Sequence, residues 1–200
     1  MTTQSVDSVE AAEQYLSKVV DVYLNKERAD VCAYVLNNAD FKTCPGSGGK
    51  HHAFKGGLMV HTAQVVELVI KQHQAIDTAP CSDAWIYRSI IAAIFHDFSK
   101  IKEYDWMSCE DGALKIEKTK FRAEIGHIAD SYHEFVNEAE RCVLPYADIN
   151  AIGHLILSHH GRQEWGSPVE PQNIYAQILH NADYISAFYM GGPLYDGMVV

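Results

Sequence analysis

Residues 90–100 read IIAAIFHDFSK: six apolar residues run without a break into His96 and Asp97, and Lys100 follows three positions later. A helix carrying that run has no polar face, which predicts a segment buried on every side at the centre of a core. The helix is expected from about Ser82 to His96. Its end presents a histidine and a carboxylate to the interior, and buried charge there requires a partner.

Outward from this run, apolar residues spaced by three and four predict further helices, so the fold class is mainly α. Upstream, Val9, Ala12, Leu16, Val19 and Tyr23 form a first stripe, and Val31, Tyr34 and Val35 a second. The segment TCPGSGGKHH (43–52) is a loop by its Pro and Gly content, and Gly56-Gly57 opens a helix with Leu58, His61, Val65 and Leu68 on one face. His61 therefore points inward. Downstream, Tyr104 and Trp106 on one arm, a turn at Asp111-Gly112, and Leu114 and Ile116 on the other predict a small β-hairpin. A helix from about Glu124 to Glu140 follows. Asp148 is expected to N-cap a helix running to His160, and Pro171 to begin the last, with Tyr175, Ile178, Leu179, Ala182 and Ile185 apolar.

Two hundred residues, 48% of them hydrophobic, suit one globular domain, and no apolar run approaches a membrane span. The expected division is residues 1–49 as helices packing on the core, 50–188 as the functional domain and 189–200 as a tail. The first residues, MTTQSVDSVE, have no basic stretch followed by an apolar one, so a cytoplasmic setting is expected. Five scattered cysteines without a C-x-x-C pair read as reduced thiols and give no thiolate zinc site. The formal net charge of −10 disfavours non-specific binding to nucleic-acid backbones, leaving a local basic patch open. No Walker, nucleophile-elbow or H-E-x-x-H motif is present.

Divalent transition metals take neutral imidazole nitrogen and carboxylate oxygen. His61, His96, Asp97 and Asp183 supply that mixture. Asp183 lies beside Tyr175, Ala176, Leu179 and Ala182, where an ionised carboxylate is costly without a cation or strong donors. This order, H…HD…D, resembles the HD superfamily of metal-dependent phosphohydrolases. GGLMVHT around His61 and IAAIFHDFSK around His96 are similar to that superfamily's G-G-L-x-x-H-T and L-x-H-D-x-x-K segments. LSHHGRQEWGSP and IYAQILHNADYISA resemble the end of the domain in bacterial HD-type 3′-to-5′ exoribonucleases. The resemblance covers about Lys50 to Phe188. It departs at Ser99, where the family has Gly, and no OB-fold nucleic-acid module is expected ahead of the domain.

The resemblance implies a helical bundle and one or two ions, and His and carboxylate ligands suit Zn, Mn, Co, Ni or Fe. His127 and the pair His159-His160 occupy the order seen in binuclear members. Helical phase selects His159 as the inward ligand, since it continues the face of Ile152, Leu155 and Ile156, while His160 is turned about 100° away. His160 is then a ligand or a substrate contact. Asp97 is expected to bind metal and to bridge where there are two. Lys100 is expected to hold phosphate, His52 of the His51-His52 pair to contact it, and Trp165 to stack on a base.

Three activities remain open: hydrolysis of free nucleotides, 3′-to-5′ cleavage of single-stranded nucleic acid, and a di-iron oxygenase reaction. Charge favours the nucleotide substrate over nucleic acid. The apolar first helix and the tail leave a homo-oligomer open.

Overall fold

The computed structural model describes residues 8–76 and 83–191. The expected helix start at Ser82, Cys81, and residues 192–200 of the expected tail lie outside them. The described chain runs α1 (Val9–Tyr23), α2 (Lys26–Leu36), α3 (Gly57–Ile76), α4 (Asp83–Phe95), a 3-10 turn (Phe98–Lys102), β1 (Tyr104–Ser108), β2 (Leu114–Lys118), α5 (Phe121–Glu124), α6 (His127–Arg141), α7 (Tyr146–Ser158) and α8 (Ile174–Ile185). A single π-helical turn, Ser186–Met190, extends α8. The architecture is a helical bundle with one antiparallel hairpin, in which Trp106 pairs directly with Ile116.

The all-apolar run does what its composition requires: Ile90 to Phe95 are fully buried. Around this central helix, α4 packs against α2, α3, α7 and α8, and α3 also carries α1. Ala12, Leu16, Val31 and Val35 from α1 and α2 join one hydrophobic core with Val65, Ile94, Ile152 and Leu179. Phe98 anchors the segment that follows α4. Its ring lies 6.2 Å from Phe95 and 6.3 Å from Phe41, which fixes the backbone on either side of Asp97 against the core. No described helix is long and apolar enough to cross a membrane.

Three boundaries differ from the sequence expectation. The Glu124–Glu140 helix is broken, because Gly126 takes φ 77°, a left-handed conformation that favours glycine, and α6 starts afresh at His127. Asp148 does not cap α7, whose N-cap position is Pro145. It lies buried in the first turn, where Tyr87 and Arg88 donate to its carboxylate. Pro171 precedes α8, and the cap is Asn173, whose side chain accepts from the Ala176 N–H at 2.9 Å.

Candidate metal centre

Five segments bring the site together. His61 lies one turn into α3, His96 and Asp97 follow the end of α4, His127 opens α6, His159 and His160 follow α7, and Asp183 lies in the last turn of α8. Close approach makes the first segment possible: a Cβ at Gly57 would sit 1.9 Å from the His52 carbonyl oxygen, so only glycine lets the His51-His52 loop fold onto the start of α3.

Among the described residues ligand-type atoms form three groups, and Asp97 belongs to two of them: His61, His96, Asp97 and Asp183 in one, and Asp97, His127, His159 and His160 in the other, while His51, His52 and His61 form a third that has no carboxylate. In the first, His61 Nε2 is 3.3 Å from Asp97 Oδ2 and 3.1 Å from Asp183 Oδ1, and His96 Nε2 is 3.4 Å from Asp97 Oδ2. The second gathers on the other oxygen. His127 Nε2 is 3.1 Å and His159 Nε2 3.6 Å from Asp97 Oδ1. His160 is partly exposed, its ring 4.5 Å from that of His159.

The outer nitrogens of four imidazoles are tied down in the same sense. His96 Nδ1 donates to the Ala93 carbonyl at 2.7 Å and His159 Nδ1 to that of Ile156 at 2.7 Å. His61 Nδ1 donates to Ser186 Oγ at 2.9 Å, and that hydroxyl donates onward to Gln64 Oε1 at 2.8 Å. The Glu103 carboxylate accepts from both His127 Nδ1, at 2.9 Å, and the His127 backbone N–H, at 2.8 Å. Each Nε2 is thereby left facing the cluster, which is the arrangement a metal-ligating histidine needs.

The donor set fits a cation by a second criterion. Asp97 Oδ1, His127 Nε2 and His159 Nε2 are buried and have no hydrogen-bond partner. A buried polar atom without a hydrogen bond costs about 1–3 kcal/mol; the 3.1 Å contact of Asp97 Oδ1 with His127 Nε2 offsets part of that by charge, and a cation would satisfy all three atoms together.

Electrostatics agree. Burial alone would raise the carboxyl of Asp97, but Lys100, His96 and His127 hold it well below the ordinary carboxylate range. Asp183 is likewise held low by His61 and His96 against the effect of burial. Burial pulls His96 and His127 down, yet both are carried up by neighbouring carboxylates: His96 by Asp97 and Asp183, His127 by Asp97 and Glu103. Protons on those rings do what a cation would do, which is to neutralise the acids. His160 is pushed down to about 3 by burial and by His159 and His127.

Other expected residues occupy distinct places. Lys100 is buried, its Nζ 2.5 Å from Asp97 Oδ2 and donating to the Gly46 carbonyl at 3.1 Å. His52 is buried with φ 48°, and both its ring nitrogens are engaged: Nε2 with Gln64 Oε1 at 3.0 Å and Nδ1 with His51 Nδ1 at 3.2 Å. Trp165 is outside the ligand groups, exposed in a 3-10 turn and stacked on His180 at 5.9 Å. Sequence reasoning passed over Glu103, Ser186 and Gln64, which orient His127 and His61. An acid in KIKEY and a serine in DYISA carry no spacing signal of their own.

A buried His/Asp cluster able to coordinate a divalent cation is therefore present. Among relatives, the 3′-5′ exoribonuclease YhaM of Bacillus pumilus is 33% identical over 148 residues, 74% of this chain and 44% of the relative. Its counterpart of the same name in Bacillus subtilis is 33% identical over 154 residues, 76% of this chain and 45% of the relative. The protein of that name in Listeria innocua is 27% identical over 190 residues, covering 94% and 56%. The chain spans about half the length of the curated relatives it matches. No solved structure matches significantly. The family model for the HD domain matches residues 58–187, from the start of α3 to just past α8, and so takes in every residue of the two groups that share Asp97: the chain belongs to the HD-domain family.

Proposed function

We propose that this chain is a metal-dependent phosphodiesterase that removes nucleotides from the 3′ end of a single-stranded nucleic acid, using two divalent cations. The observation that carries the two-cation reading is the single carboxylate of Asp97 shared between two groups, one on each oxygen, with unpaired buried atoms in the second. The names of the relatives support a strand over a free nucleotide. The opposite preference drawn from net charge weighed a whole-molecule sum against a local site.

A divalent cation here would acidify water and stabilise charge on phosphoryl oxygens. The protein's part is to orient and neutralise. Asp97, Asp183 and the four Nδ1-anchored histidines would hold the cations. Lys100 has two of its three ammonium hydrogens committed to Asp97 and Gly46, which leaves one to meet a phosphoryl oxygen. With both nitrogens of His52 engaged, the substrate contact expected there passes to His51, which is partly exposed and whose ring lies 5.3 Å from His61.

The test offers a 5′-labelled single strand and a panel of free nucleoside triphosphates and monophosphates, with Mn, Zn, Co, Ni or Fe added in turn. The expected outcome is a ladder of strands shortened from the 3′ end with nucleoside monophosphates released. Cleavage confined to free nucleotides would return the reading to a nucleotidase. Oxygen consumption with bound iron would make it an oxygenase.

A further inference from the structure

Seven large aromatic side chains are exposed among the described residues: Tyr34, Phe54, Tyr146, Trp165, Tyr184, Phe188 and Tyr189. Random scatter would spread them over the surface, yet five lie on the segments that deliver the metal centre. Phe54 follows the His51-His52 pair, Trp165 follows His159-His160, and Tyr184, Phe188 and Tyr189 follow Asp183. Their arrangement is ordered. Tyr184 and Phe188 stack at 4.5 Å and 29°, with Tyr189 6.1 Å from Tyr184. His180, Tyr184 and Phe188 recur every four residues and share one side of α8 and its extension. Trp165 stacks on His180 at 26°, and His180 Nδ1 donates to the carbonyl oxygen of His159 at 2.9 Å. The stripe is thus tied to one of the groups that share Asp97 through His159 and adjoins the other through Asp183.

Exposed cations share the loops that carry Phe54 and Trp165. Lys50 and Lys55 flank the Phe54 loop, and the Arg162 guanidinium lies 5.3 Å over the Trp165 ring, with one nitrogen 3.2 Å from Glu164 in an exposed pair. A net charge of −10 gives the whole chain little long-range attraction for a polyanion, so affinity for a strand has to come from local contacts. Stacking can supply them, because every base has an apolar face and the interaction does not depend on net charge.

We propose that Phe54, Trp165, Tyr184, Phe188 and Tyr189 form a collar that grips the terminal bases of a single strand by stacking, with Lys50, Lys55 and Arg162 meeting its phosphates. This rests on the strand-cleaving reading above and adds how the strand is held. Helical i, i+4 ring pairs also form for local stability, but that role does not account for Phe54 and Trp165 arriving on separate loops at the same centre.

The experiment measures binding of a fluorescein-labelled eight-nucleotide single strand with non-cleavable linkages, by anisotropy, to the parent, to Tyr184→Ala/Phe188→Ala and to the milder Tyr184→Leu/Phe188→Leu. Circular dichroism checks the fold of each. Affinity should fall by about tenfold or more in both pairs, in line with the loss of a stacked base. A blunt duplex of the same length should bind the parent far more weakly. Unchanged single-strand affinity in the variants would overturn the collar even if the parent cleaves strands. Binding that depends on the rings without any cleavage would instead uphold the collar and overturn the activity. A dimer of the parent that the substitutions dissolve, with no effect on strand binding, would assign the rings to a second copy of the chain and defeat the proposal.

Discussion

Two aspartates sit at the same depth in this protein, Asp97 at 1% exposure and Asp148 at 2%, and each gathers partners from several helices. Around Asp148 every partner is a committed donor. Arg88 gives Oδ1 two hydrogen bonds, at 2.8 and 2.6 Å, Tyr87 donates at 2.9 Å, and Arg28 lies 3.5 Å from Oδ2 with its guanidinium over the Tyr87 ring. Around Asp97 the partners are one lysine and four imidazoles, and three buried atoms are left without hydrogen bonds. Guanidinium and phenol hydrogens saturate a carboxylate and leave it inert. Imidazoles facing it through Nε2 leave positions that a cation can take. The nature of the partners, rather than burial, separates a carboxylate that holds the fold from one able to hold a cation.

Substitutions should pull these two centres apart. Asp97→Ala is expected to take strand hydrolysis below detection while helical circular dichroism stays near that of the parent; full activity in that variant would break the account. Asp148→Asn should do the reverse. Weakening the buried pairs with Arg28 and Arg88 is expected to lower stability by about 3–5 kcal/mol in urea denaturation, with cation content per folded chain unchanged. Equal loss of cations in both variants would erase the distinction.

Glu103→Gln sharpens the comparison on the Asp97 side, since it removes the anionic acceptor that fixes His127. Cation affinity is expected to drop by about 10–100-fold, measured by competition with a chromogenic chelator. The smallest effect concerns pH. Cation uptake must expel the protons that Asp97, Asp183 and Glu103 draw onto His96 and His127, whose pKa values are raised. Uptake should therefore weaken as pH falls, by about tenfold per unit for each proton expelled. The guanidiniums at Asp148 carry no proton that exchanges in this range, so a pH response that survives Asp97→Ala would count against the assignment.

Much of this contrast was legible in the sequence on one side and hidden on the other. The unbroken run from Ile90 to Phe95 can only be a central helix, and a polar pair at its end is conspicuous for that reason. His61 and Asp183 stood out because each interrupts an apolar face. Asp148 was misread, because an acid ahead of an apolar helix satisfies the N-cap pattern whether its carboxylate turns to its own backbone or to Tyr87 and Arg88 across the core. Glu103, Ser186 and Gln64 were invisible for a related reason: their roles exist only once separate segments meet. Gly126 likewise breaks a helix that apolar spacing alone would have continued.

The central claim, that Asp97 bridges two cations, is tested most directly by counting metal per chain with inductively coupled plasma mass spectrometry. Parent protein, His159→Ala and Asp97→Ala would each be loaded with Mn or Zn and freed of loosely bound ions. The account predicts about two ions in the parent, about one after His159→Ala and almost none after Asp97→Ala. A parent that holds a single ion, or an ion count that Asp97→Ala leaves unaltered, would contradict it.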